Sequence, residues 1–146
     1  MKHLTNLFKL LELTRYQVQY GYIATGVPKN ELSDLAQHQY LVTMVAWQLA
    51  RNLNRAGAEL DVERVLEHTL THELGELFGS DIGVYYSRAN PRARKFAKDF
   101  EKENQRFLSR FFGKDKRYVK ELMEGSMQFK TDEARLARVA DLMEAC

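Results

Sequence analysis

Six ionisable residues carry most of the chemistry this sequence offers: His38, His72, Glu73, Glu76, Asp81 and Asp141. Four of them fall within one short stretch, THELGELFGSD, among leucines and glycines that read as a helix entering a core. Acids and imidazoles on the buried side of a helix are unfavourable unless a partner satisfies them. Helical phase turns all three regions inward. His38 shares a face with Val42, Val45 and Leu49 at spacings of four, three and four. His68, His72 and Glu76 stack at intervals of four, with Glu73 beside them. Near the end, Leu136, Val139, Ala140 and Met143 form the expected buried stripe, and Asp141 lies next to it. A divalent metal ion would convert these buried groups into satisfied ligands, and mixed imidazole and carboxylate donors suit Mn, Co, Fe, Zn or Mg. Taken singly, each residue has a plainer reading. A lone buried histidine is usually a hydrogen-bonded core residue, His68 covers its helix or backs a ligand, and Asp141 pairs with Arg138. Only the combination favours a metal.

The elements that must position these groups are helical nearly throughout. Leu4, Leu7, Phe8 and Leu11 mark a first helix, and QVQYGYIATGVPKNELS, broken by Gly21, Gly26 and Pro28, reads as a loop. Ser33 or Asp34 caps a long second helix that runs to about Ala56, with Gly57 as its stop. Asp61 caps a third, Leu60 and Val65 staple its start, and the spacing predicts a continuous helix to Gly79. Asn90-Pro91 opens a charged helix ending at Gly113, followed by a short helix over Tyr118–Met123 and a last one from Thr131 to Cys146. The expectation is an all-α compact helical bundle of about five to six helices, forming a single domain over 1–146.

Composition narrows the function classes. The 146 residues are 45% hydrophobic and 29% charged, a globular balance long enough for a core. A net charge of +2 gives no argument for a nucleic acid polymer or a membrane surface. One cysteine, Cys146, excludes an internal disulfide. Lys9, Glu12 and Arg15 interrupt the N-terminal apolar run, and no stretch is long enough to span a bilayer, so a cytoplasmic protein is expected. The phase of Phe107, Phe111 and Phe112 suits either a helix-mediated homodimer or the core.

Two family motifs compete for the central stretch. HELGELFG resembles the zinc metalloprotease motif H-E-x-x-H-x-x-G, but Glu76 stands where the second histidine belongs and Ile82 where the extended motif has its third ligand. Met127 in EGSMQF does not outweigh a missing ligand. The second resemblance, to the HD-domain metal-dependent phosphohydrolases, is stronger because several motifs recur in order. LAQHQYLVTMVAWQLA resembles that family's first ligand helix, LTHELGELFGSD its H-D-x-x-E-x-x-x-x-D segment, and DEARLARVADLMEA its final ligand helix. YGYIATGVPKNELSDLAQH resembles the loop leading to the first histidine in the branch that includes the 5'-deoxynucleotidases.

The resemblance implies that His38, His72, Glu73 and Asp141 hold one divalent ion and that the substrate is a phosphomonoester, most simply a deoxynucleoside 5'-monophosphate. It implies that Glu76 positions water or protonates the leaving oxygen, and that Asp81 lies near the sugar. Glu73 replaces the family's aspartate, and its extra methylene shifts the carboxylate. Gln19 stands about where several relatives carry a basic residue, so Arg15 becomes a candidate for the phosphate contact. The cluster Arg88, Arg92, Arg94 and Lys95 is another, although a solvated helix start is the plainer reading of it. These departures keep open a nucleotide-binding or regulatory protein without turnover. A purely structural helical protein stays open as well, whereas an oxygenase would need further iron ligands that the sequence lacks.

Overall fold

The computed structural model describes residues 2–79 and 81–145. Cys146, expected to close the last helix, lies outside them. The described chain is helical without a strand, and six of its helices have ten or more residues: α1 Lys2–Leu11, α2 Leu35–Arg55, α3 Val62–Thr71, α5 Pro91–Ser109, α6 Lys116–Gln128 and α7 Asp132–Glu144. The sequence pattern did not predict the short α4, Val84–Ala89.

The helix starts follow local side-chain chemistry. Asp34 accepts from the backbone N–H of Gln37 at 2.8 Å, Asp61 from Arg64 at 3.1 Å, Asn90 from Ala93 at 3.0 Å and Thr131 from Ala134 at 3.2 Å. Each satisfies an amide that a helix N-terminus leaves unpaired. The expected loop between α1 and α2 contains two 3₁₀ turns, Tyr20–Thr25 and Lys29–Glu31. Its ends are clipped together by Gln19 N–H to Ser33 O at 3.2 Å and Leu35 N–H to Gln17 O at 2.9 Å.

The third helix departs from expectation. It stops at Thr71, where φ is −118° and ψ −13°, and the chain tightens into a 3₁₀ helix over His72–Glu76. Side chains capture the carbonyls that an α-helix needs to continue. Thr71 Oγ1 donates to Glu67 O at 2.8 Å, and the His72 ring Nδ1 sits 2.7 Å from Thr69 O, the acceptor the Glu73 amide would otherwise use. In a 3₁₀ helix residues three apart eclipse. Glu73 and Glu76 therefore align, while the His72 N–H keeps its α-helical bond to His68 O.

Two apolar clusters hold the bundle. Leu35, Leu74, Leu77, Leu108, Val119 and Met123 form one, and Val42, Ala46, Ala50, Val65, Leu136 and Ala140 the other. Each buried Leu or Val contributes about 1.5–3 kcal/mol by leaving water, and the alanines let α2, α3 and α7 approach closely. On α2 the fully buried stripe is His38, Val42, Ala46 and Ala50, while Val45 and Leu49 pack at its edge. On α7 half of the expected stripe holds, with Leu136 and Ala140 buried. Val139 and Met143 are 47% and 54% exposed, and the buried face is Ala134, Leu136, Ala137, Ala140 and Asp141. Asp141 lies within the buried face rather than beside it.

Candidate metal centre

His38 lies at the first turn of α2, four residues after its Asp34 cap, and its N–H bonds to Asp34 O. His72 and Glu73 begin the 3₁₀ helix, and Asp141 lies in the last turn of α7. These three places meet. One ligand atom from each of His38, His72, Glu73 and Asp141 lies within 4.8 Å of all the others. His38 Nε2 is 3.2 Å from Asp141 Oδ1 and 3.9 Å from Glu73 Oε1. His72 Nε2 is 3.2 Å from Glu73 Oε1 and 4.0 Å from Asp141 Oδ1. Glu73 thus brings one oxygen to both histidines despite its extra methylene.

The histidine tautomers are set from behind. His72 Nδ1 faces the Thr69 carbonyl at 2.7 Å, and a carbonyl only accepts, so Nδ1 carries the hydrogen. His38 Nδ1 lies 2.6 Å from Glu144 Oε2 and donates to it likewise. Both rings therefore aim Nε2 inward, and both Nε2 atoms are buried without a hydrogen-bond partner. Two orphaned imidazole nitrogens facing two carboxylates, each ring braced through its other nitrogen, is the donor arrangement a divalent cation satisfies. The residues fit the metal.

In the metal-free protein the charges adjust to one another. Burial pulls the His38 imidazolium down, but Asp141, Glu73 and Glu144 override it and hold the pKa up at about 9. Burial alone would raise Asp141, yet His38, His72 and Arg138 keep it below its ordinary value. Glu76 is pushed well above the carboxylate range, first by burial and then by Glu73, Asp81, Glu101 and Asp141. Glu101 rises to about 7, again by burial first and Glu73 second, with Lys98 and Lys102 partly offsetting.

A cleft of about 320 Å³ opens beside this group, lined by His72, Glu73, Glu76, Glu101 and Asp141 together with Arg94, Lys98 and Arg138. That volume lies at the small end of ligand sites, roughly 300–1,000 Å³. Arg138 contacts the Asp141 oxygen that faces away from the histidines, so the expected pairing and the inward-facing oxygen coexist on one carboxylate.

The remaining expected site residues are more dispersed. Asp81 accepts from the Gly21 amide and ties the loop to the turn after the 3₁₀ helix. A Cβ on Gly21 would stand 2.6 Å from Asp81 Oδ1, so glycine permits that approach. Gln19 lines a separate cleft of about 210 Å³ with Tyr22 and Glu144. Arg15 is not brought to the metal group. The turn Glu12–Arg15 carries it to an outer groove with Tyr16, Asp34, Gln37 and Tyr40. Of the cluster Arg88, Arg92, Arg94 and Lys95, only Arg94 lines the main cleft. His68 pairs through Nδ1 with Ser126 Oγ at 2.6 Å, outside the ligand group.

Sequence reasoning missed Glu144, Glu101 and Lys98. Glu144 had a signal, because it follows Asp141 by three on the same helix face. Lys98 and Glu101 had none, since α5 is charged around most of its circumference. Gly75 explains how α5 comes so near. A Cβ there would meet Glu101 Cγ at 2.8 Å, and Asn104 Nδ2 donates to Gly75 O at 2.9 Å.

Residues 24–146 match the family described as 5'-deoxynucleotidase YfbR-like. The chain belongs to that family. No curated protein sequence matches it. Solved structures share the YfbR-like chain's fold at low identity. A conserved hypothetical protein from Pyrococcus furiosus is 24% identical with a TM-score of 0.77, over 96% of this chain and 78% of that one. A Pyrococcus horikoshii protein is 23% identical with a TM-score of 0.72, over 96% and 73%. An HD-domain phosphohydrolase from Listeria innocua is 22% identical with a TM-score of 0.79, over 97% of this chain and 65% of that chain. The family description points to phosphate-ester hydrolysis, the fold is shared with an HD-domain phosphohydrolase, and the buried group could hold a divalent ion.

Proposed function

We propose that residues 1–146 form one phosphohydrolase domain that removes phosphate from a small phosphomonoester, with a deoxynucleoside 5'-monophosphate as the preferred substrate. The observation that carries the reading is the convergence of the orphaned His38 and His72 Nε2 atoms on Glu73 and Asp141. These four residues would hold one divalent ion, which when bound supplies Lewis-acid polarisation of a phosphoryl oxygen and acidifies water. Mixed imidazole and carboxylate donors accept Mn, Co, Mg, Fe or Zn.

The chain's own groups supply the rest. Glu76, one 3₁₀ turn beyond Glu73, is a carboxyl whose pKa is raised first by burial and then by Glu73, which suits a donor of a proton to the leaving 5'-oxygen. Asp81, held by Gly21, offers its remaining acceptor capacity to a sugar hydroxyl, and Gln19 lies on the same loop. The cleft volume favours a monomeric nucleotide over a polymer. The same reading takes the protein as a cytoplasmic homodimer, the exposed Phe107 marking the flank for contact. Among the described residues no helix is long and apolar enough to cross a membrane.

The test is phosphate release from a panel of nucleoside and deoxynucleoside monophosphates, using chelator-stripped protein with single ions returned. Metal-dependent release strongest with 5'-deoxynucleotides supports the reading. Protein that binds metal yet releases phosphate from nothing is a nucleotide-binding protein instead.

A further inference from the structure

The main cleft is lined by four acids, and a phosphate dianion approaching them is repelled unless positive charge offsets it. The metal group accounts for Glu73 and Asp141. Three cations share the cleft, and one of them, Arg138, is already engaged by Asp141. The other two differ from it. Arg94 and Lys98 lie four residues apart on α5, so they project from one helix face. Both line the cleft, and among the described residues neither makes an ion pair with a carboxylate, although Glu76 and Glu101 line the same space.

Their neighbours on the same helix behave otherwise. Arg92 stacks over the Phe96 ring at 5.6 Å, and neither Arg92 nor Lys95 lines the cleft. The helix therefore divides its basic residues between two directions, and only one pair faces the site.

We propose that Arg94 and Lys98 form the anion subsite of the cleft and receive the non-bridging oxygens of a phosphomonoester dianion. The proposal rests on the phosphohydrolase reading and deepens it. Phosphate is gripped from α5 rather than from the loop before His38, where Gln19 offers no charge. A divalent ion would balance Glu73 and Asp141, which leaves Arg94 and Lys98 as cleft cations held by no ion pair among the described residues. The guanidinium of Arg94 gives paired donors matched to phosphate oxygens, and Lys98 adds a point charge. Such a subsite prefers the dianion, which dominates above a second phosphate pKa of about 6.

The experiment is calorimetric titration of inorganic phosphate into Mn-loaded protein, beside kcat and KM for the best monoester. R94Q/K98Q is compared with R92Q/K95Q, which removes the same net charge from the same helix without facing the cleft. Expected is a loss of about ten-fold or more in phosphate affinity and a matching rise in KM for R94Q/K98Q. The control pair should stay within about two-fold, and Mn affinity should be unchanged in both. The exchange R94K/K98R should recover most of the binding. Equal weakening by both pairs, no weakening by R94Q/K98Q, or no phosphate binding to the wild type overturns the subsite. Failure of the larger reading looks different: phosphate binds and R94Q/K98Q abolishes it, yet no monoester is hydrolysed.

Discussion

Glu144 Oε2 stands 2.6 Å from His38 Nδ1, so the last turn of α7 grips the first turn of α2 from behind the metal group. The carboxylate fixes the tautomer and the ring plane together, and it leaves Nε2 free to face Asp141. Bracing of this kind typically accounts for a 10–100-fold effect on metal affinity.

Glu144→Ala is accordingly expected to weaken Mn or Co binding by about 10–100-fold while leaving a folded helical protein. Metal titration by calorimetry, with circular dichroism as the control for folding, checks it. Unchanged affinity would mean that packing alone orients His38.

Glu76→Gln keeps the shape and removes the proton. Turnover should fall by about 10²–10⁴-fold with metal content unchanged. Phosphate-release kinetics and elemental analysis on the same sample decide it, and loss of metal in the variant would reassign Glu76 to the ligand group.

Gly75→Ala places a Cβ 2.8 Å from Glu101 Cγ and 3.1 Å from Gln105 Nε2. Both neighbours are packed parts of α5, so the helix must shift, and a loss of about 1–3 kcal/mol in stability is expected. Urea denaturation measures it. A neutral result would show that the Glu101 and Gln105 side chains swing aside without moving the helix.

Metal-free protein should lose stability as pH rises from about 5 to 9. Glu101 has a folded pKa of about 7 against an ordinary 4.5, so its neutral form is the one the fold prefers. That contribution is fully present below 4.5 and lost as pH climbs through 7. His38, at about 9 against 6.5, contributes in the same sense over the higher window. Thermal melts across this range check the slope, and Glu101→Gln should flatten the lower part alone.

Much of the centre was legible because its residues sit on helices whose phase is strict. His38 four before Val42 needed only the 3.6-residue period, and His72 and Glu73 stood out as an adjacent pair. The third helix misled because a hydrogen bond from the His72 ring takes the Thr69 carbonyl, an event no periodicity records. The α7 stripe partly misled because three alanines make up most of the buried face, while Val139 and Met143, larger and more apolar, lie outside it. Apolar size and burial part company wherever helices pack closely through small residues. Arg94 and Lys98 could not be told from Arg92 and Lys95, since a uniformly charged helix does not declare which side meets a cleft.

The ties that build the centre join distant parts of the chain: 106 residues separate His38 from Glu144, and 60 separate Gly21 from Asp81. Contacts of such reach form late, because the intervening chain must first be drawn together at an entropic expense that grows with its length. On the ribosome, the first histidine emerges long before the aspartate and glutamate that complete its surroundings. Until α7 docks there is no pocket to load, and a nascent chain offers a stray ion only scattered, weak donors. If the centre holds its ion as proposed, metal acquisition becomes a checkpoint at the end of folding, and a chain interrupted before α7 would lack the centre altogether.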